Sequence, residues 1–242
     1  MTFELLKIDA ATGARRGRLT TPHGTVETPV FMPCGTGGAV KALTPHELEI
    51  EEVQLALCNT YHLYLRPGHR LIEELGGLHR FMGWSGSILT DSGGFQVYSL
   101  AQLRQITDEG VRFRSHLDGS LHFLSPELAI QIQQSLGADI IMPLDECAPY
   151  PSTTDYLQRA LELTLKWAEQ SRTAHPEGQP ALFGILQGGT DKALREQAAT
   201  ALQTIGFDGY ALGGLAVGEP KAVMYDTVAH VTPLLPADGP VI

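Results

Sequence analysis

Residues 125–147 read SPELAIQIQQSLGADIIMPLDEC. Ser125 places a capping hydroxyl before Pro126 at a first helical position, and a helical stretch runs from Pro126 to Leu136. An apolar run from Ala138 to Leu144 follows and ends in the polar residues Asp145, Glu146 and Cys147. Helix, short strand and polar turn form the repeating unit of parallel α/β structure. Working outward, the rhythm recurs. Six apolar runs end in polar or glycine-rich turns: Val30 to Pro33, Gln54 to Cys58, Ile88 to Thr90, Ala138 to Leu144, Ala181 to Leu186, and Gly209 to Leu212. Helical patterns lie between most of them, at Pro45 to Glu52, Thr154 to Ala174 and Lys192 to Ile205, and Thr44-Pro45 repeats the capping signature.

An open doubly wound sheet and a closed (β/α)₈ TIM barrel both fit this rhythm. No G-x-G-x-x-G follows the first run, so a dinucleotide fold loses its best support. A barrel of eight units typically takes about 250 residues. Six units fill the 242 residues here, and the closing Gly239-Pro240-Val241-Ile242 resembles the entry to a seventh strand. The expectation is a single incomplete TIM-barrel domain over residues 1–242, truncated near the start of strand seven. Two additions decorate it. Phe3 to Ile8 and Arg15 to Thr20 flank an Ala-Thr-Gly turn and predict an N-terminal antiparallel sheet. Val111 to Phe123 carries Asp118-Gly119 between alternating runs and predicts a hairpin insertion after strand three.

Hydrophobic residues at 43% and charged residues at 18% match a folded chain, not a disordered one. The longest apolar stretches are too short to span a bilayer. Met-Thr-Phe-Glu-Leu-Leu-Lys opens with no secretory pattern. Cys34, Cys58 and Cys147 give neither an even disulfide set nor a C-x-x-C spacing, which points to a reducing cytoplasm. A net charge of -10 counts against a surface that grips phosphate everywhere, without excluding a local basic patch.

Barrel enzymes hold their chemistry at the C-terminal ends of the strands. The residues there are Cys34-Gly35-Thr36-Gly37-Gly38, Asn59-Thr60-Tyr61-His62, Asp91-Ser92-Gly93-Gly94-Phe95-Gln96, Asp145-Glu146-Cys147, Gln187-Gly188-Gly189 and Gly213-Gly214-Leu215. Carboxylates and amides thus meet glycines that let backbone N–H groups approach a ligand. Asn, Gln and Asp read a purine edge by paired hydrogen bonds, and an aromatic such as Phe95 offers a stacking face. Neither a Walker loop nor H-E-x-x-H is present. The residues alone reach a polar, planar ligand in a barrel mouth, a nucleobase among the candidates.

Thr90 to Val97 (TDSGGFQV), Cys58 to Leu63 (CNTYHL), Ser115 to Ser120 (SHLDGS), Asp145 to Pro151 (DECAPYP) and Gly213 to Glu219 (GGLAVGE) resemble, in order and spacing, motifs of the bacterial-type tRNA-guanine transglycosylases. The resemblance covers nearly all of this chain and the first two-thirds of the family pattern. It implies exchange of guanine at the wobble position of tRNA for 7-aminomethyl-7-deazaguanine, by double displacement through a covalent enzyme–tRNA intermediate. It makes Asp91 the general acid/base and Asp145 the acceptor for the ring N–H and amino group of guanine. Gln187 and the Gly214 N–H bind the base carbonyl, the Leu215 carbonyl receives the aminomethyl group, and Phe95 stacks. Ser92, Gly93 and Gly94 line the pocket. Asn59, Gln96, Cys147, Val217 and Glu219 support it.

The resemblance also implies a homodimer and a structural Zn²⁺ whose three cysteines and one histidine lie beyond Ile242, as does the nucleophilic Asp. On that reading this chain holds no metal ligand and is inactive alone. Plainer readings stand beside these. An Asp before Ser-Gly-Gly also caps helices, a strand-end Asp also forms ion pairs, and Gly213-Gly214 also makes a simple turn. Glu146 suits a structural role and Cys147 a small buried wall. His62, His116 and His122 have no metal-ligand spacing. The alternatives are a related base-exchange barrel acting on another nucleic-acid position and a non-catalytic homologous partner subunit.

Overall fold

A computed structural model describes residues 1–100, 104–175, 178 and 180–242, without the side chain of Leu100. The chain opens with strands β1 (Thr2–Ile8), β2 (Arg15–Thr21) and β3 (Gly24–Thr28). Next come α1 (Pro45–Ile50), β4 (Leu55–Cys58), α2 (Thr60–Leu65), α3 (His69–Glu74), α4 (Leu78–Met82) and β5 (Ser87–Thr90). They are followed by α5 (Gly94–Leu100), β6 (Arg104–Thr107), β7 (Gly110–Arg114), β8 (Leu121–Leu124), α6 (Pro126–Leu136) and β9 (Ile140–Ile141). The remainder holds α7 (Thr154–Ala174), β10 (Ala181–Leu186), α8 (Lys192–Ile205), β11 (Gly209–Leu212) and α9 (Lys221–Val231). Two compact units divide these elements. The first comprises Met1–Gly93, Ile130–Ile141 and a short stretch ending at Ala181; the rest forms the second.

In the first unit β1, β2 and β3 form the expected antiparallel sheet, with Leu5 opposite Gly17 and Leu19 opposite Val26. A parallel set places Leu57 beside Leu89 and Leu89 beside Ile140. All four β5 residues are buried, as a strand covered on both faces requires. Helix α1 starts at a full capping box between Thr44 and Glu47. The run expected as strand one, Val30 to Pro33, forms no strand. It is reduced to one parallel bridge, Cys34 to Leu57, because Pro29 and Pro33 bring no N–H to a ladder. The expected run Ala138 to Leu144 shortens to Ile140–Ile141, and Pro143 withholds a donor beyond it.

In the second unit β10 pairs in parallel with β11, and all six β10 residues are buried. Val241 forms an isolated parallel bridge to Tyr210, with Ile242 N–H donating to Tyr210 O at 2.9 Å, in the segment read as the entry to a seventh strand. Helices α7 and α8 cover these strands. Leu194, Ala198 and Leu202, spaced by four, share a core with Leu157, Leu161 and Leu186. The Asp118-Gly119 hairpin exists as β7–β8, and β6 extends it to three antiparallel strands.

Candidate active site

In the first unit the end of β5 delivers Asp91. Its Oδ2 accepts the Asn59 Nδ2 at 2.5 Å, and its Oδ1 accepts the N–H groups of Thr60 at 2.9 Å and Gly93 at 3.2 Å. The Thr60 hydroxyl donates to the Asp91 carbonyl at 2.6 Å. Parallel pairing of β4 with β5 sets Cys58 beside Thr90, so the residues that follow each strand meet. Gly93 completes the turn at φ 81°, where a Cβ would stand 3.3 Å from Tyr61 N. The carboxylate is therefore fixed in orientation by donors from two strand ends. Asn59 thus braces Asp91, and Ser92 is buried beside it in sequence. Thr60 was not singled out, although it stands inside a quoted motif.

In the second unit Asp145 follows β9 and Gln187 follows β10. Both are buried, and Gln187 Nε2 donates to Asp145 Oδ2 at 2.7 Å. Gln187 Oε1 is buried without a hydrogen-bond partner and is therefore an acceptor to be satisfied by a donor. The Gly213-Gly214 pair lies against this amide: a Cβ on Gly213 would stand 2.6 Å from Gln187 Nε2, and Gly214 has φ 65°. These glycines are thus required by packing, not only by a turn.

Arg195 on α8 was missed by sequence reasoning. Fully buried, it donates from Nε to Gly189 O at 2.8 Å, from Nη1 to Leu186 O at 2.6 Å and from Nη2 to Gly213 O at 2.7 Å. One guanidinium thereby joins the loops after β10 and β11 that carry Gln187 and Gly214. Burial pushes its pKa down to about 10. A lone Arg in a helical pattern carries no signal of such a role.

The Glu219 carboxylate accepts the N–H of Val217 at 2.9 Å and that of Ala216, which fixes the peptides after Leu215. Burial pushes this carboxyl up, but the N–H groups of Glu219, Ala216, Val217 and Gly218 together hold it below its ordinary 4.5. Val217, Gly214, Gly189 and Tyr150 line a cleft of about 250 Å³. Gly94, Val97, Tyr98, Asp145 and Cys147 line a smaller recess. Phe95 and Gln96 follow Gly94 on α5, with Phe95 exposed. Glu146 accepts the Tyr156 hydroxyl at 2.7 Å, the structural role expected of it. Burial, reinforced by Asp145, pushes the Cys147 thiol up to about 12, and burial also raises Cys58 to about 12 and raises Cys34. None of these cysteines is an activated thiolate. Among the described residues the one cluster of three metal-ligand side chains is His23, His79 and Asp139, which contains no cysteine. It does not match a zinc set of three cysteines and one histidine.

Parallel strands with helices between them, and carboxylates and amides at their carboxyl ends, define an α/β protein of the kind that holds its ligand at those ends. Residues 9–242 match the family model described as queuine tRNA-ribosyltransferase, and the chain belongs to that family. It is 58% identical over 239 residues to the queuine tRNA-ribosyltransferase of Caldanaerobacter subterraneus subsp. tengcongensis, covering 98% of this chain and 64% of that protein. It is 58% identical to the proteins of the same name from Pelotomaculum thermopropionicum and Halothermothrix orenii, covering 99% of this chain in each case and 65% and 64% of those proteins. The chain thus spans about 64% of the length of the curated relatives it matches. Among the described residues, no helix is long and apolar enough to cross a membrane.

Proposed function

We propose that this chain carries the base-recognition part of a tRNA-guanine transglycosylase, which exchanges wobble guanine in tRNA for 7-aminomethyl-7-deazaguanine in queuosine biosynthesis. The observation that carries the reading is the buried Asp145–Gln187 pair, a carboxylate and an amide held 2.7 Å apart at the strand ends. A carboxylate accepts the ring N–H and amino hydrogens of guanine, whose geometry matches a bidentate acceptor. In this proposal Gln187 turns its amide nitrogen to the base carbonyl, joined by the Gly214 N–H. The Leu215 carbonyl takes the aminomethyl group of the incoming base, with Glu219 setting that peptide's direction. Val217 limits the space beside it, and Phe95 stacks on the base.

Asp91 acts as general acid/base in this scheme. Its fixed donors hold the carboxylate in one orientation, the preorganisation that proton transfer needs. The reaction is double displacement, and the proposal assigns no nucleophile to these residues. The same reading places the strands in a (β/α)₈ barrel, makes the active form a homodimer in the cytoplasm, and leaves tRNA contact to local basic surface. Arg112 and Arg114 alternate with buried Val111 and Phe113 on β7 and offer such a surface.

Guanine binding measured by calorimetry on the full-length protein tests the recognition step. Asp145→Ala should weaken binding by ~1–3 kcal/mol, because the base donors lose their acceptor. Asp145→Asn keeps one acceptor and should lose less. Parental affinity in both variants would show that Asp145 does not read the base.

A further inference from the structure

Residues far apart in sequence converge at the end of the parallel strands away from Asp91. His23 sits in the β2–β3 turn, His79 on α4, and Asp139 immediately before β9. Asp139 is buried, and its Oδ1 lies 2.7 Å from His23 Nδ1. Its Oδ2 accepts the Ile88 N–H at 2.9 Å. Its backbone is tied on both sides, to Ile88 O and to Ala181 N, at 2.9 Å each. The carboxylate is thus held rigidly at the start of β5.

The two imidazoles stack face to face, with centroids 3.5 Å apart and planes 17° from parallel. His79 Nε2 lies 3.2 Å from Asp139 Oδ2, yet it is buried and makes no hydrogen bond. A hydrogen bond accounts for His23, whereas His79 Nε2 faces Asp139 Oδ2 at ion-pair distance outside hydrogen-bond geometry. Neutral imidazole nitrogens and a carboxylate are the ligand types of zinc and its neighbours.

We propose that His23 Nδ1, His79 Nε2 and the Asp139 carboxylate form a divalent transition-metal site of the zinc type. The donor atoms all lie within 4.8 Å of one another. Ligands at zinc distances in a tetrahedron stand about 3.3 Å apart. The separations of 2.7 and 3.2 Å from Asp139 are close to that, and one of the stacked rings must swing out of the stack so that both in-plane lone pairs meet at the ion. The His23 side chain is 39% exposed, which gives the ion an entry path and a water its fourth position. The Ile88 N–H supplies the second-shell bond that orients a ligating carboxylate. The ion clamps the β2–β3 turn onto α4 and the strand starts, a structural role separate from the candidate active site.

The test is titration of untagged, chelator-stripped protein with Co²⁺, followed by visible absorption, with Zn²⁺ melting curves in parallel. The parent should bind one equivalent more Co²⁺ than His23→Ala, with the intense bands of four-coordinate cobalt. His79→Gln should lose the same equivalent, or bind it at least about tenfold more weakly. Zn²⁺ should raise the melting temperature of the parent more than that of His23→Ala, whose exposed turn position leaves folding intact by circular dichroism. Equal stoichiometry and equal Zn²⁺ shifts in parent and both variants would overturn the site. So would a His23→Ala loss of stability that is the same in chelator and in Zn²⁺, which marks a hydrogen-bonded hub alone.

Discussion

Arg195 shows how far one side chain can organise a loop cluster. Its three donors go to carbonyls and not to a carboxylate, so the charge is spread over backbone dipoles from two strand ends. Arg195→Met keeps much of the volume and removes the guanidinium's three bonds, with Leu186 O keeping only the Gly213 N–H. Each lost bond to a charged donor costs ~1.5–3 kcal/mol, so the variant should unfold at least ~3 kcal/mol more easily in urea. A loss below about 1 kcal/mol would mean that water or another group replaces the guanidinium. The contrast with Asp91, Asp145 and Gln187 is instructive. Those three were legible because each stands directly after an apolar run, where parallel folds place functional groups. Arg195 lies inside an amphipathic helix and reads there as an ordinary charged residue. Nothing in its neighbours announces that it points into the strand-end loops.

At the scale of elements, α7 and α8 were legible to their ends, because capping side chains and apolar spacing agree. Thr153 caps α7 and Asp191 caps α8, each by accepting an N–H of the first turn. Strands were less legible. An apolar run such as Val30 to Pro33 looks like a strand by composition, but its prolines decide whether it can pair. Strand β6 escaped notice because Arg104-Gln105-Ile106-Thr107 carries too little alternation. The loop after β11 supplies an element-scale prediction. Ala216 is left-handed at φ 57°, a conformation costing an alanine roughly 1–2 kcal/mol, and the Glu219 carboxylate offsets that cost. The folded pKa of Glu219 is depressed, so its contribution is complete above 4.5 and is lost as pH falls through the lower folded value. Amide resonances of Ala216 and Val217 should move together below pH 4.5 in the parent, and stay flat in Glu219→Gln. Flat resonances in the parent would mean that the carboxylate does not hold this loop.

For the whole molecule, ordered motifs carried more than composition did. The net charge of -10 fits many functions, whereas five motifs in sequence fit one family, and the match over residues 9–242 bears that out. The fold describes two units, each with parallel strands ending in braced polar groups, Asp91 in one and the Asp145–Gln187 pair in the other. The central proposal is base exchange in tRNA, with Asp91 as its general acid/base. Incorporation of radiolabelled guanine into tRNA by the full-length protein tests it most directly, with Asp91→Asn as the comparison. Asparagine preserves the shape and can still accept the Thr60 and Gly93 N–H groups, with the Asn59 amide turned to present its oxygen, but it cannot transfer a proton. The parent should incorporate label, and Asp91→Asn should lose at least about 100-fold in rate with its melting curve little changed. Near-parental incorporation by Asp91→Asn, or none by the parent, would contradict the account.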